Sequence, residues 1–340
     1  MTNSSDPIVP PPPLPDYKPF SMRHSSSLKP LRQGVVYGIV RALLLVTERL
    51  SLRRLQALGR ALGRLAYRLA GKQRRLCHVQ LALALPHLPE AERTRIARAC
   101  MEHQGMTVME TMALPRLRRE GAVWVRLEGA EQIAAAHAKG RGVILVTAHV
   151  ANWELSTIAM EQLRIRALAV VSRLTNPRLN ALVATIRQTE FMEIAERGSN
   201  TSPRQLLSCL KRGGALIMAN DVDIEAQGVF VDFFGMPANT PRAPASLALK
   251  LDAPLLTYFD IRQPDGTHVA RFAEVPVTMA LRQSADPVRA LTQAISDRIE
   301  AHIRAYPEQW AWNHRRWKRR PRDAGAAAPP APGGGAGEPR

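Results

Sequence analysis

Three cysteines in 340 residues are too few for a disulfide framework, and their odd number argues against one as well. Cys77, Cys100 and Cys209 are scattered, with no spacing suited to a metal, so no metal centre is expected and a reducing, cytoplasmic setting fits them. Aromatic residues make up only 5% of the chain and do not interleave with basic ones as base-stacking platforms would. No zinc-finger or RNA-recognition signature accompanies them, so nucleic acid is not an expected partner. Long apolar runs are missing too. Gly34 to Val46 is the one candidate span, but it carries Arg41 and falls short of the roughly 20 residues needed to cross a bilayer. The Gly-x-Ser-x-Gly elbow, His-Glu-x-x-His, the phosphate-binding Walker pattern and the Gly-x-Gly-x-x-Gly fingerprint are all absent. Serine hydrolases, zinc proteases, P-loop enzymes and dinucleotide enzymes are thereby disfavoured, and no cofactor is expected. Asp232-Phe233-Phe234-Gly235 has the look of a kinase Asp-Phe-Gly, but no His-Arg-Asp loop goes with it.

Negative charge is the other scarce commodity. Against 47 Lys and Arg there are 29 Asp and Glu, which leaves a net charge of +18. Such an excess implies an anionic partner: nucleic acid, an acidic protein or an anionic membrane surface. An anionic bilayer attracts each nearby Lys or Arg by about 1 kcal/mol.

Residues 1–30, with Pro10-Pro11-Pro12-Pro13 and Ser25 to Ser27, and residues 322–340, rich in Ala, Pro and Gly, cannot bury a core and are expected to be disordered. No basic n-region precedes an apolar h-region, so the N-terminal segment does not read as a signal peptide. Residues 31–120 read as a helical, membrane-associated region. Within it Leu55, Leu58, Leu62, Leu65 and Leu69 recur at helical spacing, flanked by the row Arg60, Arg64 and Arg68. Such a stripe suits an interfacial membrane helix, or equally a core-facing helix with a solvated basic face. Gly59 and Gly63 cost helix propensity, and their one-turn spacing suggests close packing against another element. Glu90 to Ala113 reads as a further helix, stopped by Pro115.

From 121 to 321 short apolar strands alternate with helical stretches. Strands are expected at Val123–Leu127, Val143–Val146, Ala167–Val171, Ala215–Ala219 and Leu255–Phe259. The helices between and after them would run Glu131–Ala138, Trp153–Leu163, Pro177–Thr189, Pro203–Arg212, Pro241–Leu251 and Pro287–Ala305. The alternation predicts an α/β fold, a sheet covered by helices on both faces.

The most informative run is Gly142-Val143-Ile144-Leu145-Val146-Thr147-Ala148-His149-Val150-Ala151-Asn152-Trp153-Glu154. A buried strand here delivers His149 to its C-terminal end, where open α/β sheets place ligands. Asn152 is a natural N-cap, which puts Glu154 in the first turn of the next helix. Within one helix, residues five apart lie roughly 140° around the axis. With His149 in the turn before the helix, its ring is free to fold back towards Glu154. A carboxylate accepting from one ring nitrogen fixes the tautomer and leaves the other bare to take a proton. The arrangement predicts a general base for a hydroxyl, although a structural His and a dipole-favoured Glu would look the same.

With four further blocks, this run resembles the secondary (late) acyltransferases of lipid A biosynthesis and their glycolipid-acyltransferase relatives. The family carries a histidine, four residues and an acidic residue, often as Asn-Trp-Glu. Val170-Val171-Ser172-Arg173-Leu174-Thr175-Asn176-Pro177, Ala215 to Asp221, Gly228 to Gly235 and Tyr306 to Lys318 match its later blocks in order. The resemblance covers roughly residues 35 to 321.

The resemblance implies a mixed-sheet, glycerolipid-acyltransferase-like α/β fold. It also implies transfer of a fatty acyl chain from acyl carrier protein to a hydroxyl of a lipid A precursor, with His149 as base and Glu154 orienting it. The setting would be the cytoplasmic face of an inner membrane, held peripherally or monotopically. Such transfer needs a base, support for the oxyanion and an apolar slot, but no enzyme nucleophile. Arg173 and Arg187 would hold a phosphate or carrier phosphopantetheine, or steady the oxyanion. Asn176 would support them, and Asp221, or Asp223 in its place, would support the histidine or the arginine. Trp310, Trp312 and Trp317 among basic residues suit a membrane interface or a packed terminal segment. Two other readings stand beside this one: acylation of another glycolipid or amino lipid, and a non-catalytic basic protein that binds membrane or nucleic acid.

Overall fold

The computed structural model describes residues 29–198, 202–224 and 227–321. The expected disordered segments 1–30 and 322–340 lie outside the described residues, apart from Lys29 and Pro30, which open the first helix. Helices lead: α1 (Lys29–Thr47), α2 (Leu52–Leu69), α3 (Gly71–Ala84), α4 (Glu90–Met112) and the short α5 (Leu114–Glu120). Then come β1 (Val125–Glu128), α6 (Ala130–Ala138), β2 (Val143–Thr147), a 3-10 turn (Trp153–Leu155) running into α7 (Ser156–Leu163), and β3 (Ala167–Val171). They are followed by α8 (Pro177–Arg187), β4 (Met192–Glu196), α9 (Ser202–Lys211) and β5 (Ala215–Ala219). The chain continues through β6 (Gly228–Phe233), β7 (Met236–Pro241), α10 (Ala243–Leu251), β8 (Leu255–Arg262) and β9 (His268–Glu274). It closes with α11 (Met279–Arg282), α12 (Pro287–Ala305) and a 3-10 turn (Pro307–Gln309).

The main sheet has seven strands in the order β1-β9-β8-β2-β5-β3-β4. Its pairings are parallel except for β8 with β9, so it is mixed. Central β2 is buried along its whole length, and its side chains divide between two cores. Ile144 and Val146 join one cluster with Leu81, Ile295 and Trp312; Val143 and Leu145 join another with Leu55, Met109 and Ile158. Helices therefore cover both faces, as the run of apolar residues with no alternation requires. The parallel strands β2, β5, β8, β3 and β4 all end on one edge, the place where such sheets receive ligands.

All five expected strands form. Three other features were not foreseen: β4, β9 and the separate β6–β7 hairpin. In the hairpin, Phe233 pairs with Met236, and the two residues between, Phe234 and Gly235, both have positive φ (56° and 74°). That geometry is a two-residue turn whose twist matches the strands it joins. The helix expected from Trp153 begins as the 3-10 turn.

The glycine spacing in α2 reports a real contact. A Cβ on Gly59 would lie 2.6 Å from Met106 Cα, and one on Gly63 would lie 2.3 Å from Met101 O. Across the crossing, a Cβ on Gly105 of α4 would meet Gly59 O at 2.1 Å. The two helices touch backbone to backbone, which only glycine allows. The leucine stripe divides as a result. Leu55 is buried, while Leu62, Leu65 and Leu69 stay exposed, as do Val35, Val36, Ile39, Leu45 and Val46 of α1. Two members of the arginine row turn back to Glu102 of α4, Arg64 at 2.8 Å and Arg60 at 4.0 Å. Among the described residues, no helix is long and apolar enough to cross a membrane.

Trp310, Trp312 and Trp317 are core residues, not interfacial ones: all three are buried. They pack with Phe233 and Phe234 of the hairpin. Arg316, also buried, donates to Asn239 O at 2.7 Å and lies over the Phe233 ring. The basic C-terminal segment thus clamps the hairpin to the sheet.

Candidate active site

At the end of β2 the chain turns sharply. Val150 N–H donates to Ala148 O, and Ala151 takes a positive φ of 42°. The C-terminal segment holds this turn from outside: Ala151 N–H donates to Gln309 O, and Ala311 N–H donates to His149 O. The Pro-Glu-Gln-Trp run is therefore a brace for the histidine turn.

Asp221, just beyond β5, meets His149 across the sheet edge. Its Oδ1 lies 2.8 Å from His149 Nδ1, and its Oδ2 accepts both His149 N–H and the Trp310 indole N–H at 2.8 Å. Burial works against the charged carboxylate, but the facing histidine and these hydrogen bonds outweigh it and hold the carboxyl well below the usual range. An ionised carboxylate can only accept, so Nδ1 carries the proton and Nε2 is the basic nitrogen. For His149 itself, burial disfavours the imidazolium, yet the charge and hydrogen bond of Asp221, helped by the charge of Glu154, raise its pKa above the ordinary value. The ring packs edge-on against Trp153 and beside His314.

Glu154 lies elsewhere than expected. Its cap geometry is as read, with its N–H donating to Asn152 Oδ1 at 3.2 Å. Its carboxylate, however, takes both forks of Arg187, with Arg187 Nε donating to Oε2 at 2.8 Å, and accepts the Trp153 indole N–H at 3.1 Å. The partner on Nδ1 of His149 is Asp221, not Glu154. The physical reason is that the 3-10 turn points Glu154 towards α8, whereas the parallel pairing of β2 with β5 sets Asp221 directly beside the histidine.

The two candidate aspartates separate cleanly. Asp223 lines the same pocket as His149 but makes no hydrogen bond to it; it accepts from Arg319 N–H at 2.7 Å and from Asn239 Nδ2 at 3.0 Å. Asn176 caps α8, accepting from Arg178 N–H and Leu179 N–H, and donates to Gln33 O of α1. Arg173 is 69% exposed and sits 3.8 Å from Glu196.

His149, Glu154 and Arg187 line one pocket of about 400 Å³. Arg173 and Asn176 are not among its lining residues. Its walls are largely apolar, with Val170, Val171, Met192, Ile194, Ile217 and Ile224, and its polar end adds Ser156, Thr157, Arg197 and His314. His314 is neutral at pH 7, its pKa pushed down to about 4 by burial and by the neighbouring His149. The arrangement offers one basic nitrogen, an oriented carboxylate behind it and an apolar slot beside it. Among the described residues, no group of side chains could hold a metal.

Beneath the turn lies a charge network that the sequence reading missed. Glu110 of α4 accepts from Arg262 and from Gln56, and it stands 3.4 Å from His268 Nε2. Asp260 pairs with His268 Nδ1 at 2.8 Å. The cluster reaches the site directly: Asn152 N–H donates to Asp260, Asn152 Nδ2 donates to Glu110, and Thr107 Oγ1 donates to Ala151 O at 2.6 Å. Burial disfavours the charged His268, but Asp260 and Glu110 lift its pKa to about 9, so two cations meet two anions. The signal that could have exposed the cluster was a charged pair in an otherwise apolar strand, Asp260 and Arg262 in β8.

The family described as bacterial lipid A biosynthesis acyltransferases matches residues 22–319. The chain is 29% identical over 269 residues to the lipid A biosynthesis lauroyltransferase of Escherichia coli, spanning 78% of this chain and 85% of that protein. It is also 29% identical over 245 residues to a phosphatidylinositol mannoside acyltransferase of Mycobacterium tuberculosis, spanning 70% of this chain and 75% of the relative. The lipid A biosynthesis palmitoleoyltransferase of Escherichia coli is 26% identical over 274 residues, spanning 78% of this chain and 85% of its own length.

Proposed function

The chain belongs to the bacterial lipid A biosynthesis acyltransferases, and on that premise we propose that it moves a fatty acyl chain from acyl carrier protein to a hydroxyl of a phosphorylated glycolipid, a lipid A precursor. The observation that carries the reading is His149, with Nδ1 donating to Asp221 and its ring in an apolar-walled pocket. In the reaction, Nε2 takes the proton of the acceptor hydroxyl as its oxygen attacks the thioester carbonyl. The tetrahedral adduct collapses with loss of the carbon–sulfur bond, and His149 returns the proton to the departing thiolate. No covalent enzyme intermediate forms. Asp221 holds the ring in the productive tautomer and stabilises the imidazolium while it exists. The apolar wall of the pocket takes the acyl chain, and the Glu154–Arg187 pair orders its polar end.

The protein would work at the cytoplasmic face of an inner membrane, held at the surface without a spanning helix. Support comes from the exposed apolar residues of α1 and α2 and from the excess of positive charge. Residues 31–120 would then form the membrane-associated region and residues 121–321 the catalytic core.

The mycobacterial relative favours a second acceptor, another glycolipid served by the same machinery. Mass spectrometry of lipids from cells with and without the protein separates the two. Lipid A one acyl chain lighter in its absence supports the first reading, and unchanged lipid A with a lighter second glycolipid supports the other. Unchanged acylation of both would overturn acyl transfer.

A further inference from the structure

A desolvated charge with no partner is costly, because a guanidinium that gives up water regains the loss only from an anion, a set of neutral acceptors or an aromatic face. The site pocket spends nearly all of its charges internally. Glu154 is taken by Arg187, Asp221 by His149, and Asp223 by Arg319. Arg197 is the remainder. It follows β4 at the ligand-bearing edge, is half-buried and lines the same pocket. Its backbone N–H donates to Val171 O at 2.8 Å, while among the described residues its guanidinium makes no hydrogen bond or ion pair. Burial lowers its pKa, and no carboxylate offsets the effect.

We propose that Arg197 is the anion-recognition residue of this pocket and that its ligand is a phosphate group of one of the two substrates. The identity of those substrates rests on the acyl-transfer reading. The phosphate would be the phosphodiester of a pantetheine-linked donor or the phosphate of the glycolipid acceptor. Position argues for a substrate phosphate over the reacting carbonyl. β5 and β3 separate β4 from β2, so the two chain ends stand about 14 Å apart at the usual strand spacing. An arginine side chain covers only part of that distance, so it meets a charge several bonds away from the atom His149 serves. A planar fork with parallel N–H donors matches phosphate oxygens. Arg173, expected to hold such a phosphate, is not among the lining residues of the pocket, whereas Arg197 is.

The test is direct binding to the full-length protein of three probes: 4′-phosphopantetheine, pantetheine without phosphate, and glucosamine 1-phosphate. Wild-type protein, Arg197→Gln, Arg197→Lys and the exposed control Arg173→Gln are compared by calorimetry. One phosphorylated probe is expected to bind Arg197→Gln roughly 10- to 100-fold more weakly than wild type, as loss of a charge-assisted hydrogen bond implies. Arg197→Lys should recover part of the loss, while Arg173→Gln and pantetheine binding should be unaffected. The probe that weakens identifies the source of the phosphate. Because the Arg197 guanidinium has no partner to lose among the described residues, Arg197→Gln should also melt no lower than wild type, which a structural role would not allow. Equal affinity of both phosphorylated probes for wild type and Arg197→Gln, or no binding of either to wild type, overturns the proposal. These measurements need no turnover, so a wild-type protein that binds phosphate through Arg197 yet transfers no acyl group would sink the acyl-transfer reading alone.

Discussion

Asp221 grips His149 twice: one carboxylate oxygen faces the ring Nδ1 and the other accepts the backbone N–H of the same residue, each at 2.8 Å. One side chain thereby fixes both the histidine's position and its tautomer. Asp221→Asn should leave the fold intact but lower kcat on the order of 10²–10⁴-fold, because an amide can present N–H to Nδ1 and hold the wrong tautomer. The pH profile should move as well. Asp221 raises the pKa of His149 against the effect of burial, so without the carboxylate's charge the pKa falls. The acid limb of kcat/KM should then shift to lower pH. An unshifted limb at full rate would remove Asp221 from the mechanism.

Glu154 and Arg187 form one unit, so their replacements should not add. Glu154→Gln and Arg187→Gln should each impair transfer, and the double variant should fall well short of the summed losses, with a coupling of about 0.5–3 kcal/mol. Strict additivity of the kinetic effects would show that the pair does not act together.

How far the site could be read from sequence follows from distance along the chain. His149, Glu154 and the cap at Asn152 lie within one turn, and a local pattern records them. The link from His149 to Asp221 crosses two strands and depends on β2 pairing with β5, which no local spacing encodes. Arg197 was invisible for a related reason: β4 is a short edge strand with alternating polar residues, and the pocket it borders exists only once the sheet has formed. Five strands were legible as apolar β-branched runs. The hairpin was not, because Pro237, Pro241 and Gly235 read as loop until antiparallel pairing makes use of them. The tryptophans near Arg316 were ambiguous, since the same residues suit a lipid interface or a core.

The buried quartet of Glu110, Asp260, Arg262 and His268 should be costly to break. Glu110→Ala leaves two cations facing one anion, with Arg262 stripped of its carboxylate, and should lower stability by about 3–5 kcal/mol. The linkage also carries a sign. The folded pKa of His268, about 9, exceeds its ordinary 6.5, so its contribution is complete below about pH 6.5 and is lost as pH rises towards 9. Denaturant melts of wild type and His268→Gln should converge over that interval. A stability gap that stayed constant from pH 6 to 10 would contradict the charged state.

At the α2–α4 crossing, Gly105→Ala places a methyl group against backbone and should cost at least about 1–3 kcal/mol, read as a lowered melting temperature. Gly34→Ala, in open space on α1, is the control and should be neutral or slightly stabilising.

Attachment to the bilayer is expected to combine apolar contact with charge. Flotation with vesicles containing anionic lipid should exceed that with neutral vesicles, and the difference should shrink with salt, since the screening length falls to about 3 Å at 1 M. Double replacement of exposed Ile39 and Leu45 by Ser should weaken flotation at any salt concentration. No preference for anionic vesicles would take charge out of the attachment.

The most direct measurement is acyl transfer itself, by purified wild-type protein and by a folded His149→Ala variant. Both would be supplied with acyl-carrier thioester and a phosphorylated lipid A precursor, with the product followed by mass spectrometry. Wild-type protein should add one acyl chain to the glycolipid, and His149→Ala should be slower by at least about 10²-fold, the usual cost of losing a general base. Near-normal transfer by His149→Ala would contradict the assignment of His149 as the base.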